Sequence, residues 1–201
     1  MGFSLRSVLV IASLATPAAA ECPVPSDLAD GIATRDDTGG VTVFRAGTVP
    51  GEVTETTRFE DDTGFFVRST GGLLVLESYD LESGEKAEGT TVESRFDSPG
   101  EIFPVAEGRT AEVSGTEVSA SGEETAVTVL IESGLMHRVV YGACEVQAIP
   151  VRMTYDYAGD RAEVEHLDYL PEFGISLFLG AGDLGGAPDI YRILDLYKAT
   201  E

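Results

Sequence analysis

From about residue 40 onward, apolar side chains recur at every second position and hardly ever at helical spacing. That period decides the fold class. The clearest case is Val151, Met153, Tyr155 and Tyr157, which alternate with Arg152, Thr154 and Asp156. Successive side chains of a strand point to opposite faces, so this alternation describes one half-buried strand. A turn at Ala158-Gly159 returns the chain through Arg161 to Leu167. A two-residue loop there would set Asp156 opposite Arg161, Arg152 opposite Glu165 and Met153 opposite Val164. Oppositely charged cross-strand pairs support that register. The competing geometry is a bulged turn that shifts the register by one, because Ala158 resists the positive φ of a tight hairpin.

The same period runs through Val41–Arg45, Val53–Phe59, Phe65–Arg68 and Leu73–Tyr79. Leu73 to Leu76 is apolar on both faces, which suggests a central strand. Turn residues separate these segments at Gly39-Gly40, Pro50-Gly51 and Gly71-Gly72. Residues 84–124 are poor in large apolar side chains and are expected to form strands with one solvated face, or mobile hairpins, rather than core. Thr125–Ile131 reads as a buried strand. Arg138–Gln147 reads as another, with Val140, Gly142, Cys144 and Val146 on one face. Asp189–Lys198 fits a helix through Ile190, Ile193, Leu194 and Tyr197, but its β surroundings favour a strand. Ser26–Gly31 fits one helical turn capped by Ser26. The expected class is all-β: a curved antiparallel sheet forming a half-open barrel, a closed barrel or a sandwich, with hairpin connections.

The N-terminus adds a location. Arg6, the apolar run Val8–Leu14 and the small residues Ala18-Ala19-Ala20 read as a secretory signal cleaved after Ala20. Residues 21–201 then form a single β-rich domain in the periplasm or outside the cell. No stretch reaches the eighteen or so apolar residues of a spanning helix. Glu21, where a lipoprotein signal wants a small residue, disfavours a lipid anchor on Cys22. The two cysteines, Cys22 and Cys144, suggest one disulfide in an exported chain. The 35 acidic residues against 13 basic ones, a net charge of −22, argue against nucleic acid and against an anionic membrane surface. They fit a solvated acidic coat on a monomer.

Reactive constellations are sparse. The only histidines, His137 and His166, belong to no zinc-binding motif. His166 and Asp168 share a strand face and would allow a base with its orienting acid, the kernel of a hydrolase, but no nucleophile accompanies them. No Gly-x-Ser-x-Gly elbow or phosphate loop occurs. Ser83-Gly-Glu-Lys86 matches Ser-x-x-Lys yet sits in a Gly-rich turn. Calcium is the main metal alternative, through Asp36, Asp37, Asp61, Asp62, Asp183 and Asp189 in Gly-rich loops, although Asp-Gly turns are ordinary hairpin chemistry. The sequence Asp-Asp-Thr-Gly occurs at both 36–39 and 61–64, each time ahead of a strand.

The strand ending Tyr155-Asp-Tyr157, its turn, and the corner Tyr169-Leu-Pro171-Glu-Phe-Gly174 resemble TapB-like secreted β-sheet proteins. That resemblance covers the C-terminal third. It implies a curved antiparallel sheet in an exported protein, related in shape to lipoprotein-carrier sheets, and it implies no reaction. The leading expectation is therefore a non-catalytic binding, carrier or structural domain without a cofactor. Its apolar interior would be lined by Met153, Tyr155, Leu177 and Leu179, and its partner would be an apolar small molecule, a lipid or another envelope protein.

Overall fold

The computed structural model describes residues 21–158 and 162–199. The expected signal segment 1–20 and Arg161 lie outside the described residues. Fifteen strands are described: β1 Ile32–Asp36, β2 Val41–Ala46, β3 Glu52–Arg58, β4 Gly64–Thr70, β5 Leu74–Glu82, β6 Glu85–Lys86, β7 Val92–Phe96, β8 Thr110–Ser119, β9 Glu124–Ser133, β10 His137–Tyr141, β11 Cys144–Tyr157, β12 Ala162–Leu170, β13 Ile175–Asp183, β14 Asp189–Ile190 and β15 Ile193–Lys198. They form one antiparallel sheet in the order β14-β13-β12-β11-β9-β8-β7-β5-β4-β3-β2-β1-β15, with β10 added to β11 and β6 to β5. The sheet is not closed by a final ladder. It does curl back on itself, since β15, at one end of this order, packs against β10 and β11 near the other. A half-open barrel built as a meander is the result, and 189–198 holds two strands, β14 and β15, joined by Tyr191 and Arg192.

Two clusters fill the curl. The first gathers Leu73, Leu74, Val113, Val127, Val129, Ile131, Ile149, Val151, Met153, Tyr155, Leu167 and Tyr169. It uses the odd-numbered face of β11, as the alternation requires. The second joins Cys144, Ala148, Leu170, Ile175 and Leu177 to Ile32, Phe44, Val53 and Leu196. It glues the β11–β13 end of the sheet to the β1–β3 and β15 end. The disulfide Cys22–Cys144, with Cα atoms 5.4 Å apart, ties the N-terminus to this second cluster.

The structure corrects several local expectations. Arg152 pairs with His166, Met153 with Glu165 and Asp156 with Ala162, which puts Arg152 and Glu165 on opposite faces. The register is the shifted one: Ala158 adopts φ +56° and Asp156 pairs with Ala162. Arg152 instead pairs with Glu132 at 2.6 Å. The expected strand 138–147 is two strands, since Gly142 at φ +62° turns the chain and Tyr141 faces Cys144 across a hairpin. Val140 is consequently exposed, whereas Cys144 is buried. Pro150 lies inside β11. It sits where the neighbour of β11 changes from β10 to β9, so its missing N–H interrupts little of either ladder. The turn near Ser26 is a 3₁₀ helix, Pro25–Ala29, and Asp27 rather than Ser26 serves its start by accepting the Val24 N–H at 2.9 Å. Within 84–124, Phe96, Ile102, Phe103 and Val105 pack on the first cluster, so this segment covers core.

One turn sets the depth of the interior. Gly71 and Gly72 connect β4 to β5 with φ of +59° and +70°. A Cβ on Gly71 would overlap the Phe103 ring, and one on Gly72 would fall 2.6 Å from the Gly174 carbonyl oxygen. Only glycines allow this turn to seat against Phe103 and against the Gly174-Ile175 turn between β12 and β13. That contact is the floor of the half-barrel.

Candidate functional site

Above that floor lies a cavity of about 610 Å³. Strands β1–β5 wall one side, β12 and β13 the other. Strand direction orders its lining. Ser69, Gly72, Leu73 and Ser176 sit at the floor. Phe44, Glu55 and Val67, paired across β2–β4, occupy the middle with Leu177, while on the facing wall Leu167 pairs with Phe178 and Glu165 lies one step further toward the open end. Asp36, Thr38, Phe59, Phe65, Phe178 and Tyr191 form the mouth. The mouth aromatics come in pairs, Phe59 with Phe65 at 6.3 Å and Phe178 with Tyr191 at 6.0 Å between ring centres. Phe59, Phe178 and Tyr191 remain exposed.

Two carboxyl groups enter this apolar space. Glu55 stands on β3 between Phe44 of β2 and Val67 of β4. Its strand face also carries Val53, Thr57 and Phe59. Among the described residues no hydrogen bond or ion pair reaches it. Burial pushes its carboxyl up to about 8, with repulsion from Glu165 adding to the effect. Glu165 on β12 accepts a hydrogen bond from the Tyr155 hydroxyl at 3.0 Å. Burial raises it to about 7 against that bond, and Glu163 and Glu117 push the same way. Further along, Tyr157 donates to Glu117 at 3.5 Å, and burial holds Glu117 above its ordinary range. The hydroxyls of Thr42 and Thr57 pair with each other at 2.8 Å. No lysine or arginine is among the lining residues described.

Of the expected lining residues, Leu177 borders the cavity. Met153 and Tyr155 lie in the first cluster, where Tyr155 acts on the site through Glu165. Leu179 is the extra residue of a bulge between His166 and Leu167 on β12 and their partners Gly180 and Phe178, and its carbonyl accepts the Tyr191 N–H at 2.6 Å. His166 and Asp168 border no part of the cavity. Asp168 is buried and accepts a hydrogen bond from the Tyr141 hydroxyl at 2.5 Å. Burial and the adjacent carboxylate hold that phenol well above its ordinary range. This pair locks β10 onto β12. Tyr141→Phe should destabilise the fold by about 2–3 kcal/mol in urea titrations, because it strands a buried carboxylate.

The aspartate-rich turns have a structural use. Asp36 Oδ1 accepts the Thr38 N–H at 2.8 Å and its hydroxyl at 2.7 Å. Asp61 Oδ1 accepts the Thr63 N–H at 3.1 Å and its hydroxyl at 2.6 Å. The repeated Asp-Asp-Thr-Gly is thus one Asx turn used twice. Asp37 accepts the Arg192 N–H at 3.0 Å. Among the described residues no three His, Cys, Asp or Glu converge as a metal-binding group.

The fold and site define an open, rolled antiparallel sheet around an acid-bearing apolar cavity. No family model matches the chain, and no curated protein matches it. Among solved structures it is similar to the hypothetical lipoprotein YmcC of Escherichia coli K12, at 8% identity and a TM-score of 0.45, over 82% of this chain and 86% of that one. At that degree of likeness, function has to be read from the site itself. No helix among the described residues is long and apolar enough to cross a membrane.

Proposed function

We propose that this is an exported, non-catalytic binding or carrier protein that holds an apolar small molecule or lipid inside its half-open barrel. The observation that carries the reading is the cavity of about 610 Å³ bounded by Phe44, Val67, Leu73, Val75, Leu167 and Leu177. Its size falls within the roughly 300–1,000 Å³ of small-molecule sites, and its lining is mainly apolar with a few placed polar groups, as such sites are. Export is supported by the signal-like N-terminus and the Cys22–Cys144 bond. The resemblance to TapB-like secreted β-sheet proteins fits the same picture and extends it to a shared curved-sheet shape.

The test is to fill the cavity. Val67→Trp places an indole in its middle. We expect the mature protein to bind an uncharged apolar dye, N-phenylnaphthylamine, by fluorescence enhancement, and Val67→Trp to bind it at least about ten-fold more weakly while keeping its far-UV circular dichroism. Equal dye binding by a folded variant would place the dye elsewhere and count against the reading. Mass spectrometry of organic extracts of the purified protein would show which molecules it retains.

A further inference from the structure

The polar groups of the cavity say more about its occupant than its volume does. We propose, on the basis of the binding reading above, that the cavity is built for an apolar molecule bearing a positively charged nitrogen, which Glu55 and Glu165 hold while Ser69 and Ser176 meet its polar portion at the floor. Three observations converge on this.

The first is sign. Three carboxyl-bearing residues, Asp36, Glu55 and Glu165, line the space, and no described lysine or arginine does. Of the arginines on β1, β2 and β4, Arg35 pairs with Asp195, Arg45 donates to the Asp30 carbonyl, and Arg68 pairs with Glu52 and Glu77, while Arg58 on β3 and Arg192 beside Tyr191 are not among the lining residues. An anionic head group such as a fatty carboxylate would find no lining cation among the described residues to pair with and would push the neighbouring carboxyls further toward their neutral form. A cation favours their charged form.

The second is the state of Glu55. A carboxyl between Phe44 and Val67 with no partner among the described residues is disfavoured for the empty protein. A leucine or glutamine would suit a purely structural role better. A bound ammonium group supplies the missing partner.

The third is independent of charge. Among the described residues, three buried side-chain hydroxyls have no hydrogen-bond partner, Ser69, Thr154 and Ser176. Two of these, Ser69 and Ser176, are 1% and 2% exposed and belong to residues lining the cavity. Ser69 shares its strand face with Phe65 and Val67, and Ser176 shares its face with Phe178. Buried hydroxyls are almost always paired, so these two call for a polar group of an occupant at the floor. The exposed aromatic pairs at the mouth suit the same ligand, because ring faces attract cations.

Binding at neutral pH then displaces a proton. Glu55 enters the reaction largely as the neutral acid and the ligand arrives as an ammonium. The carboxyl releases its proton to the buffer and retains a carboxylate paired with the ammonium. No other bond changes.

Three probes with one chain length decide the matter: dodecylammonium, dodecanol and dodecanoate, each titrated calorimetrically into the mature protein at pH 7. Dodecylammonium should bind at least about ten-fold tighter than dodecanol, and dodecanoate more weakly than either. The apparent enthalpy for the ammonium should vary with the ionisation enthalpy of the buffer, as proton release requires. In the double variant Glu55→Gln/Glu165→Gln the ammonium preference should vanish while dodecanol binding persists. Dodecanoate binding as tightly as the ammonium would overturn the proposal and leave the apolar carrier intact. An ammonium preference that survives the double variant would also overturn it, by assigning the effect to the acidic surface. If none of the three binds, the carrier reading fails and the proposal with it. Should the double variant lose dodecanol as well, the order of the three affinities in the wild-type protein decides alone.

Discussion

Glu55→Gln will stabilise the ligand-free protein by on the order of 3 kcal/mol at pH 7 and by almost nothing at pH 4. The folded carboxyl keeps its proton until about pH 8, against an ordinary value of 4.5. Between those limits the folded state binds more protons than the unfolded chain, so wild-type stability falls as pH rises. Below 4.5 both states are protonated, and above 8 both are ionised, so this contribution is flat outside the window. Glutamine keeps the shape and removes the ionisation. Glu165 adds a similar slope between 4.5 and about 7. The charged and titratable groups around these two are Glu163 of β12, Glu117 of β8, and Tyr155 and Tyr157 of β11. Urea unfolding from pH 4 to 9 should show the wild type losing stability more steeply than the variant across pH 5–8. Parallel curves would mean that Glu55 ionises as freely in the folded protein as in the unfolded chain. A natural sequence that retains so disfavoured a side chain fits a group kept for binding rather than stability.

Opening the disulfide should have the largest effect of all. Cys22 and Cys144 are 122 residues apart in sequence. In the chain-entropy picture, releasing a loop of that length costs about 4–5 kcal/mol, less whatever structure the reduced unfolded chain retains. The double variant Cys22→Ser/Cys144→Ser should unfold at markedly lower urea than the wild type, with a denaturant slope that increases as the unfolded chain expands. The damage should start at the second cluster, where Cys144 meets Leu196 and Ile32, and at the Lys198–Asp27 pair of 2.7 Å that holds the N-terminal 3₁₀ turn to β15. An unchanged midpoint would show that the N-terminus docks without the bond.

The alternation of 151–157 was readable because one face of β11 is core throughout, and a face buried over its whole length imprints its period on the sequence. Its partner register was not readable, because it hung on whether Ala158 would adopt positive φ, and a single residue decides that. Gly142 hid a hairpin for a related reason. The flanking Val139-Val140 and Cys144-Glu145-Val146 look like one strand until the two-residue turn is known. The cavity was legible only in part. Leu177 borders it, but Met153 and Tyr155 belong to core that the segment 96–105 covers from within, a long-range contact with no local signal.

Glu55 was the costlier omission. It lies in Val53-Thr-Glu-Thr-Thr-Arg-Phe59, where a glutamate among threonines looks like solvated surface. The face of Val53, Glu55, Thr57 and Phe59 starts and ends apolar, and that was the available clue. Ser69 and Ser176 gave none, since orphaned hydroxyls exist only in three dimensions.

The connection between the last two strands limits how far the open sheet can spread. Strand β14 hangs on β13, while β15 hangs on β1, and only Tyr191 and Arg192 separate them. The two rims of the open sheet are therefore belted together at the mouth by a chain that spans at most roughly 10–11 Å from Ile190 to Ile193. Such a belt does not stretch. The barrel can widen there only by letting out slack, and the slack available is the two ladder pairs Gly180–Ile190 and Ala181–Asp189. On the carrier reading proposed above, a guest too bulky for this mouth would have to open those two pairs, so its entry would come in a step rather than by gradual widening.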